Sequence, residues 1–245
     1  MQAVKQMNNN TGVTKIFKRY EMKYLVNDQQ RDAILKAMEG KMSPDKHGRS
    51  LICNLYYDTP DYLLIRRSIE KPVFKEKLRL RSYGTPDEDS IVFMEIKRKY
   101  RDVVYKRRIS LMEGDVENFA LWHNFGDSQI AKEINYFFSY YRDLKPRVYL
   151  AYDRQAFYLD EDDDFRLTID DNIRYRHSNL TLQSDEGCEL LLPPGLHLIE
   201  LKTSKAIPLW LADTLTRDHI YKASISKYGT VYRKLYEENG GMLYE

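Results

Sequence analysis

The chain of 245 residues carries 39 basic and 37 acidic side chains, so its formal net charge is only +2. That length suits one domain with a sizeable hydrophobic core, and the small net charge excludes a globally basic nucleic-acid-binding protein. The charge is unevenly distributed, because Lys and Arg concentrate in residues 71–108 and Asp and Glu in residues 160–189. We therefore expect a focused positive site that attracts anions.

The first 14 residues are rich in Asn and Gln and are predicted to be disordered. One folded domain is expected over residues 15–236, followed by a short tail over residues 237–245. No apolar run approaches the roughly 18 residues of a membrane span, and the N-terminus lacks the apolar core of a signal peptide. The expected location is the cytoplasm.

The first elements are predicted from alternation and capping signals. Residues 15–26 alternate charged with apolar or aromatic side chains, which indicates a strand. Asn27 and Gln30 then have the spacing of a capping box, which predicts that a helix begins there. Further along, Thr59 is the expected N-cap of a second helix, with Pro60 at its first position.

The remaining pattern is that of a sheet with helical insertions. A helical insert is expected over residues 114–141, and later helices near Pro208 and over residues 225–236. Further strands are predicted at residues 51–57, 72–83, 90–100, 103–111, 146–158, 165–172 and 196–203. About eight strands, with close antiparallel hairpins, predict an α+β protein: an eight-stranded antiparallel β-barrel with helices packed outside.

The most informative feature is a strand with a cation at every second position: Lys75, Lys77, Arg79 and Arg81. Such residues share one face, about 7 Å apart. A single charged face is commonly the solvated side of an ordinary sheet, but this pattern recurs on several strands. Like charges in contact repel by about 1 kcal/mol per pair in water, so the repetition indicates a sheet curled around a polyanion. The other in-phase positions are Glu95, Lys97 and Lys99; Lys106 and Arg108; Tyr152 and Arg154; Arg166, Thr168 and Asp170; and Glu200 and Lys202.

Several other site types are excluded. Cys53 and Cys188 give neither a disulfide framework nor metal-site spacing, and Cys53 is expected to be a small buried residue. The five histidines are scattered, so a histidine metal site is not expected. The acidic run at residues 160–164 lacks the glycine and distant glutamate of a calcium loop, and indicates a solvated hairpin tip. No glycine-rich phosphate loop is present.

Five segments, in order along the chain, resemble the VTC domain, the polyphosphate polymerase branch of the triphosphate tunnel metalloenzymes, a CYTH-like superfamily. The resemblance covers residues 15–236 and implies an eight-stranded antiparallel barrel whose interior is a charged tunnel. The segments are Arg19–Tyr24, Lys77–Gly84, Tyr152–Phe157, Glu200–Thr203 and Ser226–Tyr228.

The resemblance also implies site residues. Lysine and arginine bind phosphate through a compact charge and a planar donor fork, respectively. Tyr152 and Ser226 are implied as further substrate contacts, together with Lys77 and Lys99, although Ser226 could be only a helix cap. The catalytic cations implied are Lys23, Arg79, Arg81, Lys97, Lys106, Arg154, Arg166, Lys202 and Lys227.

Glu200 matches the family's carboxylate for a divalent metal, manganese or magnesium, although it could instead form a simple ion pair with Lys202. Glu21 and Glu95 are further candidate metal ligands. These two acids and Asp170 could also orient a cation or hold an attacking water, and the sequence leaves those alternatives open.

The function implied is metal-dependent phosphoryl transfer in a cationic tunnel, with ATP as the donor and polyphosphate as the product. Two alternatives remain: an inorganic or nucleoside triphosphatase on the same scaffold, and a non-catalytic sensor of polyphosphate or inositol phosphates. An RNA-binding barrel is weaker, because aromatic platforms on the basic strands are few. The expected partners are therefore ATP or another triphosphate and polyphosphate, without nucleic acid or a membrane segment; the oligomeric state is not predicted.

Overall fold

A computed structural model describes residues 20–101 and 103–241. The predicted disordered segment over residues 1–14 lies outside the described residues, as do residues 15–19 of the predicted first strand and the end of the tail. Among the helices that are described, none has both the length and the apolar character needed to cross a membrane.

The described chain contains nine strands in one antiparallel sheet. In space the order is β1-β9-β7-β6-β2-β3-β4-β5, and the two-residue strand β8 pairs with β7. The α+β class and the antiparallel strands are confirmed, although β2 and β7 are longer than predicted. The strands are β1 (Tyr20–Asn27), β2 (Met42–Asp58), β3 (Phe74–Tyr83), β4 (Ile91–Tyr100), β5 (Val103–Met112), β6 (Lys145–Leu159), β7 (Asp162–Arg176), β8 (Glu189–Leu190) and β9 (Leu196–Thr203).

Six α-helices accompany the sheet in the described residues. The predicted capping box is confirmed, because the side chain of Asn27 accepts from the N–H of Gln30 at 2.9 Å and the Gln30 side chain accepts from the N–H of Asn27 at 3.2 Å. The helices are α1 (Asp28–Met38), α2 (Leu63–Ile69), α3 (Val116–Trp122), α4 (Gln129–Tyr140), α5 (Leu209–Arg217) and α6 (Lys227–Glu238), and a 3₁₀ turn at Glu113–Asp115 precedes α3.

The predicted start of the second helix was wrong. Helix α2 begins at Leu63 rather than at Pro60. Two side chains that lie four to seven residues upstream in the sequence accept hydrogen bonds from its first N–H groups. Thr59 Oγ1 accepts from the N–H of Leu63 at 2.9 Å, and the Asp58 carboxylate accepts from the N–H groups of the next two residues. The unpaired donors of a helix start are therefore bound without Pro60 entering the helix.

The predicted closure of the barrel was also wrong as far as backbone hydrogen bonds are concerned. In the described residues, β1 and β5 stand at the two ends of the strand order and do not pair with each other. The free edge of β1 is instead covered by the segment that leads into α6: Tyr24 bridges Lys222, and the N–H of Ala223 donates to the carbonyl of Lys23 at 2.7 Å. The edge of β1 with which β5 would have to pair is therefore occupied by this segment.

The sheet nevertheless curls strongly enough for its ends to face each other. Lys97 on β4 lies with Nζ 3.5 Å from Oε2 of Glu21 on β1, although five strands separate β1 from β4 in the sheet. The concave side of the sheet is called the inner face below, and the space that it encloses is called the lumen.

Two hydrophobic clusters cover the outer face. One joins α1 and α5 to β1, β7 and β9, with Ile34 and Leu211 fully buried. The other joins α3 and α4 to β2–β5, with Ile134 and Leu78 fully buried. Cys53 is buried in the second cluster, as predicted, and its thiol is free.

A third cluster lies on the inner face and corrects the expectation that all helices pack outside. Helix α6 packs against inner-face residues of β2 and β6. The ring of Tyr228 on α6 stacks on Tyr56 of β2, with ring centroids 4.5 Å apart, and its hydroxyl donates to Asp58 at 2.8 Å. The apolar side of α6 therefore fills one end of the lumen, and the N-terminus of the helix points into the remainder.

Candidate active site

The strand registers place the predicted cations side by side on the inner face. Lys77 on β3 is paired with Lys97 on β4, which is paired with Lys106 on β5, and paired residues point to the same side of a sheet. The lumen acids are Glu21, Glu95, Asp170 and Glu200. The lumen cations are Lys23, Lys75, Lys77, Arg79, Arg81, Lys97, Lys99, Lys106, Arg108, Arg154, Arg166, Lys202 and, from α6, Lys227.

Glu95 is the centre of the first group of charges. Its carboxylate is 1% exposed and lies 2.7 Å from Arg79 and 2.8 Å from Lys106, with Arg81 and Arg108 both at 3.9 Å. Burial alone would raise the pKa of Glu95, but the neighbouring cations, led by Arg79, lower it to about 2. Glu95 is therefore ionised and holds several cations of β3 and β5 in place.

Asp170 is the centre of the second group. The carboxylate is fully buried and accepts two hydrogen bonds from Arg154, at 2.6 and 2.7 Å, and one from Lys227 at the start of α6. Burial opposes ionisation, but Lys227 and Arg154 together hold the pKa of Asp170 below its ordinary value. This interaction ties α6 to β6 and β7 from within the lumen.

Glu200 and Glu21 form the third group. Oε1 of Glu200 lies 2.6 Å from Nζ of Lys202, and Lys23 lies between the two acids, 3.1 Å from Glu21 and 3.7 Å from Glu200. Burial raises the pKa of Glu200, but Lys202 and Lys23 outweigh it and hold that pKa far below the ordinary value. Burial likewise lowers the pKa of Lys23, and the two carboxylates more than reverse that effect.

Several lumen lysines lack sufficient compensating charge. Burial is the main cause that lowers the pKa of Lys77 to about 8, with Lys97 and Lys23 adding to it. Burial and the nearby arginines lower the pKa of Lys106 to about 8 in spite of Glu95. The pKa of Lys97 is also lowered, first by burial. An anion in the lumen would relieve this electrostatic cost.

Two tyrosine hydroxyls on the inner face accept hydrogen bonds from arginines. The Tyr152 hydroxyl accepts from Arg81 and the Tyr56 hydroxyl from Arg79, each at 3.3 Å. Burial raises the pKa of Tyr152, but Arg154 and Arg81 bring it down to about 8. Nζ of Lys227 lies 4.2 Å from the centroid of the Tyr152 ring, so the ring also interacts with that cation.

Sequence reasoning singled out neither Asn54 nor Tyr56 as a site residue. Oδ1 of Asn54 accepts from Nε of Arg81 at 2.9 Å, and its Nδ2 donates to the carbonyl of Leu150 at 3.0 Å. Tyr56 packs against α6 and also hydrogen-bonds Arg79. The only available signal was a polar residue, Asn54, within an otherwise apolar strand.

The lumen cations differ in exposure, which defines a closed end and a mouth. The side chains of Arg81 and Lys227 are only 8% and 11% exposed, near the end filled by α6. Arg108 is 47% exposed and Arg166 is 37% exposed. Arg166 is paired with Lys202 in the sheet, and its guanidinium lies 3.6 Å from Asp45 and over the ring of Tyr158.

Glu200 and Glu21 are the residues best suited to a divalent metal. No cluster of three or more His, Cys, Asp or Glu side chains suited to a metal occurs in the described parts of the chain. Mg²⁺ is, however, commonly held by one or two carboxylates together with substrate phosphates, and Glu200 and Glu21, on either side of Lys23, fit that donor set. Glu95 fits less well, because four cations lie within 4 Å of its carboxylate, against two each for Glu200 and Glu21.

The curled sheet with a cationic interior defines a tunnel-type fold. The VTC domain family matches residues 18–236, and the chain belongs to that family. The predicted resemblance is therefore confirmed.

Solved structures are similar in fold at low sequence identity. A Hippeastrum protein, described as a candidate adenylyl cyclase that has a dominant triphosphatase activity, is 15% identical with a TM-score of 0.52; the match covers 89% of this chain and 95% of that one. A Bacillus halodurans protein described as a candidate adenylate cyclase is 12% identical with a TM-score of 0.46, and the match covers 91% of this chain and 89% of that one. None of the curated proteins compared with the sequence matches it.

Proposed function

We propose that the lumen binds the phosphate chain of a triphosphate and catalyses phosphoryl transfer, with ATP as the donor and polyphosphate as the product. The observation that carries the proposal is the excess of positive charge enclosed by the inner face, where Lys77 and Lys106 have lowered pKa values near 8. Phosphoryl transfer depends mainly on alignment and charge neutralisation, and this arrangement of side chains can supply both.

The proposed roles follow from the three groups of charges. Arg79 and Arg81 grip neighbouring phosphates, each held by a tyrosine hydroxyl and by the lumen acid Glu95. The sequence left open whether Glu95 binds a metal, orients a cation or holds an attacking water. In this proposal Glu95 orients the two arginines. Asp170 does the same for Arg154 and Lys227 at the closed end.

The same geometry suggests how the reacting atoms are aligned. A terminal oxygen of the acceptor chain attacks the γ-phosphorus, a new P–O–P linkage forms, and the bond to the leaving ADP breaks. Lys23, Lys202 and Arg154 surround Glu200 and neutralise the phosphate oxygens beside it. When bound at Glu200 and Glu21, a divalent cation, Mn²⁺ or Mg²⁺, would draw further charge from those oxygens.

Two observations bear on polymerase against triphosphatase. The lumen cations extend from the closed end toward the mouth. The more exposed ones include Lys97, Lys106, Arg166 and Lys202, and Lys99 follows Lys97 on the same face of β4. That is more than one triphosphate occupies, and it favours a site that also holds an acceptor chain. The Hippeastrum structure supports the second candidate, in which water replaces the acceptor oxygen, because that protein is described as a triphosphatase on the same fold.

The proposal is tested by incubating the protein with ATP and Mn²⁺ and resolving the products by gel electrophoresis. We expect long polyphosphate and ADP, and we expect Arg79→Ala and Lys227→Ala to abolish both products. Arg217→Ala on α5 and Lys234→Ala on α6 are matched controls, because they remove surface cations paired with Asp218 and Glu189. Orthophosphate without polymer would support the triphosphatase, and binding without turnover would support the sensor.

A further inference from the structure

Thr168 on β7 has a buried hydroxyl group without a hydrogen-bond partner in the described chain. The residue is 2% exposed. Because Arg166 and Asp170 lie two residues to either side on the same strand, Thr168 shares their face and points into the lumen. Buried polar atoms are nearly always hydrogen-bonded, so an unpartnered hydroxyl facing a binding site calls for an explanation.

The position of Thr168 in the sheet places it beside the candidate metal ligand. Thr168 on β7 is directly paired with Glu200 on β9. Side chains opposite each other on one face have Cβ atoms about 5 Å apart, so the hydroxyl and the Glu200 carboxylate line the same part of the lumen. Lys23 and Glu21 follow on the adjacent strand β1, where Lys23 is paired with Glu200.

We propose that Thr168 Oγ1 is a ligand of the divalent cation held by Glu200, a role that rests on the proposed function. Carboxylate, hydroxyl and phosphate oxygens together form the hard donor set that Mg²⁺ and Mn²⁺ prefer, and threonine hydroxyls bind Mg²⁺ beside nucleotide phosphates in other folds. Glu200 supplies the charge, Thr168 supplies a neutral oxygen, and the substrate supplies the rest.

The rival role is a hydrogen bond from the same hydroxyl to a phosphate oxygen. The two roles differ in their metal dependence: a metal ligand contributes only when the cation is present, whereas a phosphate donor contributes in its absence as well. The ammonium group of Lys202 lies 2.6 Å from Glu200. A charged hydrogen-bond donor for phosphate oxygens is therefore present in this part of the lumen without Thr168.

The test compares the affinity for tripolyphosphate with and without Mn²⁺, measured by titration calorimetry. For Thr168→Val we expect unchanged affinity without metal and a loss of about tenfold, or 1.4 kcal/mol, in the gain that Mn²⁺ gives. Thr168→Ser should restore that gain, because it restores the hydroxyl. Thr214→Val is the matched control: this threonine is equally buried, but its hydroxyl donates to the carbonyl of Trp210 outside the lumen.

Each other outcome contradicts the inference in a distinguishable way. An equal loss with and without Mn²⁺ would show that Thr168 contacts phosphate instead. No loss in either condition would show that Thr168 has no ligand. If the unmodified protein gains nothing from Mn²⁺, the metal site of the proposed function itself fails. Thermal melting without ligand checks folding, and Thr168→Val should melt at the same temperature or higher, because it removes an unpaired buried hydroxyl.

Discussion

Lys77 on β3 donates a hydrogen bond to Ser226 at the N-terminus of α6, with Nζ 3.1 Å from Oγ. The same Oγ accepts from the N–H of Gly229 at 3.2 Å and so caps the helix. One hydroxyl therefore joins a lumen cation to the helix that fills one end of the lumen. Among the described ion pairs none includes Lys77, so an arriving phosphate would be its first anionic partner.

Replacing Ser226 should affect both stability and binding. Loss of an N-cap lowers the free energy of unfolding by about 1 kcal/mol, and Ser226→Ala also removes a group at the proposed phosphate site. The matched control is Ser128→Ala, since Ser128 caps α4 on the outer side through the N–H of Ala131 at 3.1 Å. Denaturant unfolding should show similar losses for both variants, and only Ser226→Ala should weaken tripolyphosphate binding. Equal binding by both would limit Ser226 to capping.

Lys77 should make stability depend on pH in the alkaline range. Its pKa is lowered from 10.5 to about 8 in the folded protein, so the unfolded chain binds more protons between those values. Stability should therefore rise as the pH increases from 8 to 10. Lys77→Met should be more stable than the unmodified protein at pH 7 and should show a smaller rise. Chemical denaturation at several pH values measures both effects, and an unchanged rise would contradict the assignment.

Loss of the Glu95 carboxylate should destabilise the empty lumen. Its pKa falls from 4.5 to about 2 on folding, so its contribution is complete above pH 4.5 and is lost as the pH falls to 2. That contribution is about 3 kcal/mol at neutral pH. Glu95→Gln should remove it, whereas Glu133→Gln should cost less, because Glu133 pairs with Arg98 and Arg107 on the outer side and is 24% exposed.

Ligand rescue separates the two variants further. Tripolyphosphate should raise the melting temperature of Glu95→Gln more than that of Glu133→Gln, since the anion supplies the missing negative charge only in the lumen. The effect should decrease as salt increases. Equal shifts for both variants would mean that the anion binds elsewhere.

Glu200→Gln should separate turnover from anion binding. The substitution keeps the shape of the side chain but removes the charge that would hold a metal, so turnover should fall by about 10²-fold or more while tripolyphosphate binding is retained. Glu189→Gln is the control, because Glu189 is an exposed partner of Lys234. Steady-state assays with Mn²⁺ provide the measurement. Normal turnover by Glu200→Gln would transfer the metal role to Glu21 or Glu95.

The charged face could be predicted because it depends only on local alternation. Lys77, Arg79 and Arg81 share a face in any extended strand, whatever its neighbours are. Asn54 and Tyr56 could not be assigned in this way, because both faces of β2 are buried here and the strand shows no polar alternation. The acid partners were likewise left open, since the pairing of Arg79 with Glu95 depends on cross-strand register.

The placement of α6 could not be predicted from the sequence either. Its apolar residues, such as Val231 and Leu235, predict that the helix packs, but they do not say against which face of the sheet. Covering the edge of β1 by residues 222–223 is a tertiary contact without a local signal, and it leads α6 onto the inner face. The lack of pairing between β1 and β5 and the filling of one end of the lumen therefore have a common origin.

A crystal structure of the protein with tripolyphosphate and Mn²⁺ tests the central claim most directly. We predict phosphate oxygens in contact with Arg79, Arg81 and Lys227, an anomalous manganese peak beside Glu200, and Lys202 moved away from that carboxylate. An anion bound outside the lumen, with the ion pairs of Glu95, Asp170 and Glu200 unchanged, would contradict the account.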